Sequence, residues 1–80
     1  MLLAIDMGNT NIELGLLKEE EILLSERIGT DLKKTSSEYA VLIHSLFEIN
    51  KVDVDEIEGA IIASVVPSLT ASLREAVKSV

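Results

Sequence analysis

The sequence has no cysteine and no tryptophan, and its 80 residues include one proline, one tyrosine and one phenylalanine. The absence of cysteine excludes a disulfide framework and a thiolate metal site, and it permits a reducing compartment. With so few aromatic side chains, any core must be mainly aliphatic. Because 48% of the residues are hydrophobic, we expect one packed domain rather than a disordered chain.

Basic residues are also scarce, since 7 Lys and Arg stand against 14 Asp and Glu and the net charge is −7. Nucleic-acid-binding proteins cluster basic side chains against phosphates. Here only Lys33 and Lys34 are adjacent, so we expect no nucleic-acid partner. Asp6 interrupts the apolar start with no positive segment before it, and no apolar run approaches the roughly 18 residues of a membrane span. A cytoplasmic protein with no membrane partner is expected.

The first part of the chain is predicted to form three strands. Residues 2–5 are a continuous apolar run that ends at Asp6, before a turn that contains Gly8 and Asn9. Residues 12–17 and 22–28 have the composition of two further strands. Short polar links between consecutive strands favour hairpins, so these three strands are predicted to run antiparallel.

A capping box predicts the start of the first helix. Thr35 and Glu38 have the spacing at which each side chain bonds the other residue's backbone N–H. The helix is expected to end near Asn50. Its apolar stripe at three- and four-residue spacing comprises Tyr39, Leu42, Ile43, Leu46 and Phe47. Tyr39 is expected in the core, with its hydroxyl at the surface.

A fourth strand and a second helix complete the predicted order βββαβα. Residues 60–66 are apolar except for Ser64, which is typical of a strand covered on both faces and paired in parallel. Pro67 suits the first turn of a helix. The stripe of this helix comprises Leu69, Leu73, Ala76, Val77 and Val80. A strand–helix–strand crossover is expected to place the fourth strand parallel to the first. The chain ends within this stripe, and we interpret that as truncation.

The segment Asp-Met-Gly-Asn-Thr-Asn, residues 6–11, is the strongest candidate for chemistry. Gly8 allows a positive φ and close approach to a ligand, and the amides of residues 8–11 can surround a phosphate as donors. Asp6 can hold Mg²⁺ directly or through water. On spacing alone a second interpretation stays open, because Gly-Asn is ordinary hairpin chemistry and an Asp beside a turn often caps it. Ser64 and Ser68, near the end of the fourth strand, are candidates for either helix capping or ligand contact.

These residues resemble a known family. Asp-x-Gly-Asn-Thr-Asn after an N-terminal strand is similar to the first phosphate motif of type III pantothenate kinases, also described as Bvg accessory factors. Residues 27–31, Arg-Ile-Gly-Thr-Asp, and residues 64–67, Ser-Val-Val-Pro, resemble two further family segments, and Thr35, Glu38 and Tyr39 match the start of the family's first helix. The resemblance therefore spans the whole chain in order.

The resemblance implies an α/β fold of the actin, sugar-kinase and Hsp70 superfamily. The chain would be a ribonuclease H-like, actin-like ATPase half-domain, with residues 1–80 forming the N-terminal part of the first domain. The remainder of that domain and the second domain would be absent. The implied activity is ATP-dependent phosphorylation of pantothenate in coenzyme A synthesis, with Mg²⁺ and a monovalent cation, K⁺ or NH₄⁺. The ATP phosphates would be bound by residues 6–13, namely Asp6, Met7, Gly8, Asn9, Thr10, Asn11, Ile12 and Glu13. Asp6 would also bind Mg²⁺, directly or through water.

The catalytic residues of the resembled family are not found in this chain. The family's catalytic carboxylate lies in a Gly-x-Asp-Arg motif after the next strand, beyond Val80, so the 80 residues alone are expected to be inactive. Two alternatives remain: a non-catalytic interaction or regulatory module, and a fragment of a sugar or acetate kinase of the same superfamily. An unpaired edge on the fourth strand is expected to recruit a partner, which predicts a homodimer or a strand-exchanged assembly.

Overall fold

A computed structural model describes residues 1–79, with the side chains of Pro67 and Ser68 excepted. Its elements follow the predicted βββαβα order, with a short 3-10 helix, Val54–Glu56, before the last strand. The strands are β1 Leu2–Met7, β2 Asn11–Lys18, β3 Glu21–Gly29 and β4 Gly59–Ser64, and the helices are α1 Ser36–Ile49 and α2 Pro67–Ser79. Val80, assigned from sequence to the second helical stripe, lies outside the described residues.

The four strands form one mixed sheet in the order β3-β2-β1-β4. β2 pairs antiparallel with both β1 and β3, and β4 pairs parallel with β1. The sequence-based prediction of strand directions is therefore confirmed. Alternation along β1 places Leu3, Ile5 and Met7 on one face, opposite Leu16, Leu14 and Ile12 of β2 in the register.

Helices α1 and α2 pack against each other and cover that face of the sheet. Of the five residues in the predicted stripe of α1, Tyr39, Ile43 and Phe47 are buried, and Leu42 and Leu46 are partly buried against the core. The buried residues of α2 are Leu69, Leu73 and Ala76. Apart from Tyr39, Phe47 and Met7 the core is aliphatic. Each large apolar side chain that is fully buried stabilises the fold by about 1.5–3 kcal/mol.

The capping box at the start of α1 is confirmed. The Thr35 hydroxyl accepts from the Glu38 N–H at 3.2 Å, and the Thr35 N–H donates to the Glu38 carboxylate at 3.0 Å. The backbone bond from Thr35, and the Thr35 side chain after it, hold the pKa of Glu38 below its ordinary value of 4.5. At the other end, Asn50 is the C-cap and its side-chain amide donates to the Leu46 carbonyl oxygen at 2.8 Å.

The opposite face of the sheet is uncovered within residues 1–79. This open sheet face includes Leu2, Ala4, Leu17, Ile22, Ile61 and Ala63. Ile61 of β4 is 64% exposed, so the prediction that the fourth strand is covered on both faces is wrong for the described residues. The apolar pattern does not specify which segments cover a strand, and here both helices lie on the same side.

Two predicted strand ends also differ from the structure. β1 continues through Asp6 to Met7, because Met7 points into the core while Asp6 points to the open sheet face. β4 ends at Ser64 rather than at residue 66, because the Ser64 hydroxyl accepts from the Val66 N–H at 2.9 Å and turns the chain towards α2. Over residues 1–79 no helix combines the length and the apolar character needed to cross a membrane.

Candidate phosphate-binding site

The candidate site lies at the carboxyl end of β1, where the sheet changes from antiparallel to parallel pairing. β4 ends at the same edge, and the Val65 N–H that follows it donates to the Met7 carbonyl oxygen at 3.1 Å. β3 also ends there and leads into Thr30. In open α/β sheets, ligands bind at the carboxyl ends of strands where the strand order reverses. The topology therefore predicts a ligand site at this edge of the sheet.

The β1–β2 turn, residues 8–10, has two N–H groups without internal partners. The Gly8 N–H donates to the Asn11 carbonyl oxygen at 2.9 Å and so closes the turn. No hydrogen bond within the described part of the chain uses the N–H of Asn9 or Thr10, and both residues are exposed. These two amides are available to an anionic ligand. The Gly8 amide, which the sequence argument included among the donors, is already engaged.

The constraint at Gly8 is one of space and not of conformation. No glycine in the described chain has a positive φ, so the expectation of a left-handed Gly8 is wrong. A Cβ built on Gly8 would lie 3.2 Å from the Asn11 carbonyl oxygen, which is the acceptor of the Gly8 N–H. A larger residue would therefore push apart the two strand ends that close the turn.

Thr30 holds the β1–β2 turn from the side of β3. The Thr30 N–H donates to the Thr10 carbonyl oxygen at 2.9 Å, and the Thr30 hydroxyl donates to the Gly8 carbonyl oxygen at 2.8 Å. Sequence reasoning did not include Thr30 in the site. The antiparallel pairing predicted for the second and third strands could have identified Thr30. The register Asn11↔Gly29 brings the next residue, Thr30, opposite Thr10.

The predicted site residues divide between the two faces of the sheet. The side chains of Met7 and Ile12 are fully buried beneath the helices, so they support the turn from the core. Asp6 and Glu13 are cross-strand partners on the open sheet face, and both are exposed. Asn11 begins β2 and is exposed beside the turn. The structure thus brings the residues of segment 6–13 to one edge of the sheet, but only some of their side chains face solvent there.

The two carboxylates on the open sheet face have different surroundings. The Arg27 guanidinium donates to the Glu13 carboxylate at 2.9 Å, following the register in which Glu13 pairs with Arg27. Within the described residues Asp6 takes part in no ion pair. Asp6 is therefore the carboxylate beside the turn whose oxygens have no cationic partner in residues 1–79.

A complete metal site is not built by the described residues, among which no group of three or more His, Asp or Glu side chains is placed to hold an ion. Asp6 offers a single carboxylate. That donor type suits Mg²⁺, which keeps several waters and is commonly bound by one or two carboxylates together with substrate phosphates. The residues thus fit Mg²⁺ carried with a nucleotide better than a resident ion.

Ser64 is engaged within the protein. Its hydroxyl accepts the Val66 N–H and so holds the turn between β4 and α2. Because Val66 precedes the first residue of α2, Pro67, this bond is not a helix cap. The side chain of Ser68, the other serine considered from sequence, lies outside the described residues.

The chain is similar to known proteins over nearly its whole length. A family model of type III pantothenate kinases matches residues 2–80. A curated type III pantothenate kinase from Finegoldia magna is 47% identical over 78 residues, a match that covers 98% of this chain and 30% of that relative. The chain thus spans about 30% of the length of the curated relative it matches.

The observed architecture is that expected for the family. The mixed four-stranded sheet, with β4 parallel to β1 and the other pairs antiparallel, is consistent with an actin-like ATPase half-domain. With the family model covering nearly every residue, the chain belongs to the type III pantothenate kinase family.

Proposed function

We propose that the protein phosphorylates pantothenate with ATP, and that this chain supplies the turn that binds the ATP phosphates. In this reaction the pantothenate hydroxyl attacks the γ-phosphorus, the bond to the β–γ bridging oxygen breaks, and ADP and a proton are released. Phosphoryl transfer depends mostly on positioning and on neutralisation of charge. The family membership supports the reaction class, and the free amides of Asn9 and Thr10 support the role of the turn.

The observation that carries the proposal is the anchored turn with two unpartnered N–H groups. Backbone donors held in place bind phosphate oxygens without reorganising when the ligand arrives. The exposed Thr10 hydroxyl and the Asn9 and Asn11 amides add neutral donors around the same position. Residues 6–13 are proposed as the ATP-binding segment, with Met7 and Ile12 contributing through the buried support beneath the turn.

Asp6 is proposed to bind Mg²⁺ directly or through water. The ion supplies charge neutralisation to the phosphates when it is bound. Asp6 contributes an exposed carboxylate one residue before Met7, whose carbonyl oxygen is held by the Val65 N–H. Glu13, paired with Arg27, flanks the site. The reaction is also proposed to use a monovalent cation, K⁺ or NH₄⁺, as in the resembled family. A comparison of both salts with Na⁺ in the kinase assay tests this requirement.

Two further features belong to the same proposal. ATP and the intermediates of coenzyme A synthesis are cytoplasmic, so we assign the protein to that compartment.

β4 lies at the edge of the described sheet, and such edges pair with other strands. This supports a homodimer or a strand-exchanged assembly. Light scattering of the 80-residue chain tests it, and a monomeric mass would contradict it.

The test of the function is a kinase assay on the full-length protein with pantothenate, Mg·ATP and each monovalent salt. Formation of ADP that depends on pantothenate is the expected result. The 80-residue chain, expected to be inactive alone, is assayed beside it. If the full-length protein binds Mg·ATP but makes no pantothenate-dependent ADP, the non-catalytic module becomes the better account. ADP formation with a sugar or acetate instead would favour another kinase of the superfamily.

A further inference from the structure

We propose that Thr30 is a positioning residue for the phosphate-binding turn, and that its hydroxyl sets the direction of the Asn9 amide, one of the two amides that receive the ligand. This inference rests on the proposed function of the turn. It starts from two contacts: the Thr30 hydroxyl donates to the Gly8 carbonyl oxygen at 2.8 Å, and the Thr30 N–H donates to the Thr10 carbonyl oxygen at 2.9 Å.

The geometry of the peptide unit connects these contacts to the ligand. The Gly8 carbonyl and the Asn9 N–H belong to one planar peptide group and point in opposite directions across it, because the bond is trans. A hydroxyl that fixes the Gly8 carbonyl therefore fixes the Asn9 N–H on the other side. The bond to the Thr10 carbonyl fixes the peptide group that follows. Thr30 thus holds both peptide groups that flank the Asn9–Thr10 unit.

Thr30 is itself held by the core. The hydroxyl of Tyr39, a residue with 0% exposure, accepts the Asp31 N–H at 3.1 Å and donates to the Asp31 carbonyl oxygen at 2.8 Å. The backbone next to Thr30 is therefore attached to α1. A chain of hydrogen bonds leads from α1 through Asp31 and Thr30 to the turn, which leaves the turn little freedom before a ligand binds.

The function of such an anchor is preorganisation. Donors that already point at the ligand lose little freedom on binding, and this raises affinity without adding a contact. Thr30 does not need to touch the nucleotide. Removal of its hydroxyl is expected to leave the fold in place but to release the Gly8–Asn9 peptide group. The affinity for Mg·ATP should then fall by a larger factor than the loss of folding stability alone would cause.

The test compares three variants by calorimetric titration with Mg·ATP and by thermal unfolding. Thr30→Val removes the hydroxyl and keeps the shape, and Thr30→Ser keeps the hydroxyl. Thr70→Val is the matched control, because Thr70 is also partly buried and donates its hydroxyl to a backbone carbonyl, that of Val66 at 3.3 Å. We expect Thr30→Val to raise the Kd by about twofold to tenfold, the range given by one hydrogen bond, and Thr30→Ser and Thr70→Val to bind like the wild type.

Each other outcome contradicts the inference in a distinguishable way. Wild-type affinity in Thr30→Val would overturn it and leave the proposed function intact. An equal loss of affinity in Thr70→Val, or a loss in Thr30→Ser as large as in Thr30→Val, would also overturn it, because the effect would then not depend on this hydroxyl. Absence of Mg·ATP binding by the wild type would remove the phosphate role of the turn, and the inference with it.

Discussion

The Tyr39 hydroxyl makes two hydrogen bonds to the backbone of a single residue, Asp31, accepting its N–H at 3.1 Å and donating to its carbonyl oxygen at 2.8 Å. The whole side chain of Tyr39 is buried, so the expectation that its hydroxyl lies at the surface is wrong. The loop that this hydroxyl holds reaches the candidate site through Thr30. The same side chain therefore links core packing to the geometry of the β1–β2 turn.

Tyr39→Phe should lower the free energy of unfolding by about 1–3 kcal/mol, because it removes two hydrogen bonds to the backbone of Asp31, each of which contributes roughly 0.5–1.5 kcal/mol. Urea denaturation measures this change, and hydrogen exchange of the Asp31 amide should become faster. Phe47→Leu is the control, since it perturbs the same core without removing a hydrogen bond. If both variants alter Asp31 exchange equally, the hydroxyl does not anchor the loop.

Gly8→Ala should weaken both the turn and Mg·ATP binding, because the added Cβ would lie 3.2 Å from the Asn11 carbonyl oxygen. The Asn11 carbonyl oxygen must then move by a few tenths of an ångström, and this should lower the midpoint of thermal unfolding. Gly29→Ala is the matched control, since a Cβ there meets nothing within 4 Å. Thermal unfolding and nucleotide titration of both variants measure the difference. Equal behaviour of the two alanines would remove the steric argument for Gly8.

Asp6→Asn should reduce the affinity for Mg·ATP by about tenfold, in line with the loss of one charged interaction. Binding of ATP without metal should be unchanged or tighter, because a carboxylate that repels the phosphates is removed. Titrations with and without Mg²⁺ separate the two effects. Asp55→Asn is the control, an exposed aspartate in the short 3-10 helix. A loss of affinity that is the same with and without the metal would contradict a Mg²⁺ role for Asp6.

The stability of the chain should depend on pH through Glu38, whose pKa is lowered by its hydrogen bonds to Thr35. Because the folded state favours the charged carboxylate, the capping box stabilises the protein fully at pH values above the ordinary 4.5. That stabilisation is lost as the pH falls through the lowered pKa.

Glu38→Gln tests this dependence, because its amide does not titrate. The difference in unfolding free energy between the wild type and Glu38→Gln should be largest near neutral pH and shrink in acid. Urea denaturation at a series of pH values measures it. Glu20→Gln, an exposed residue in the β2–β3 turn, makes the same change of charge without a capping bond. A parallel pH dependence in both variants would show that the capping box does not cause the effect.

Local sequence signals predicted the elements and their order correctly. Thr35 and Glu38 form the expected capping box, and the stripe from Tyr39 to Phe47 faces the core. These signals depend on residues close together in the chain. The pairing of β1 with β4 also followed, because connection rules leave few alternatives for a strand–helix–strand unit.

Long-range relations were the part that the sequence did not reveal. The role of Thr30 depends on the register of β2 and β3, and that of the Tyr39 hydroxyl depends on where α1 sits over the loop. The sequence suggested a positive φ at Gly8, whereas the constraint there is steric and comes from the Asn11 carbonyl oxygen across the turn. The uncovered face at Ile61 reflects which side both helices take, and the apolar pattern does not encode that choice.

The central claim is that the turn binds phosphate through two backbone amides, and an NMR titration of the ¹⁵N-labelled chain with Mg·ATP tests it most directly. The account predicts that the amide resonances of Asn9 and Thr10 shift most, and that the Gly8 amide, already bonded to the Asn11 carbonyl oxygen, shifts less. Saturable shifts at another edge of the sheet, with Asn9 and Thr10 unmoved, would contradict it.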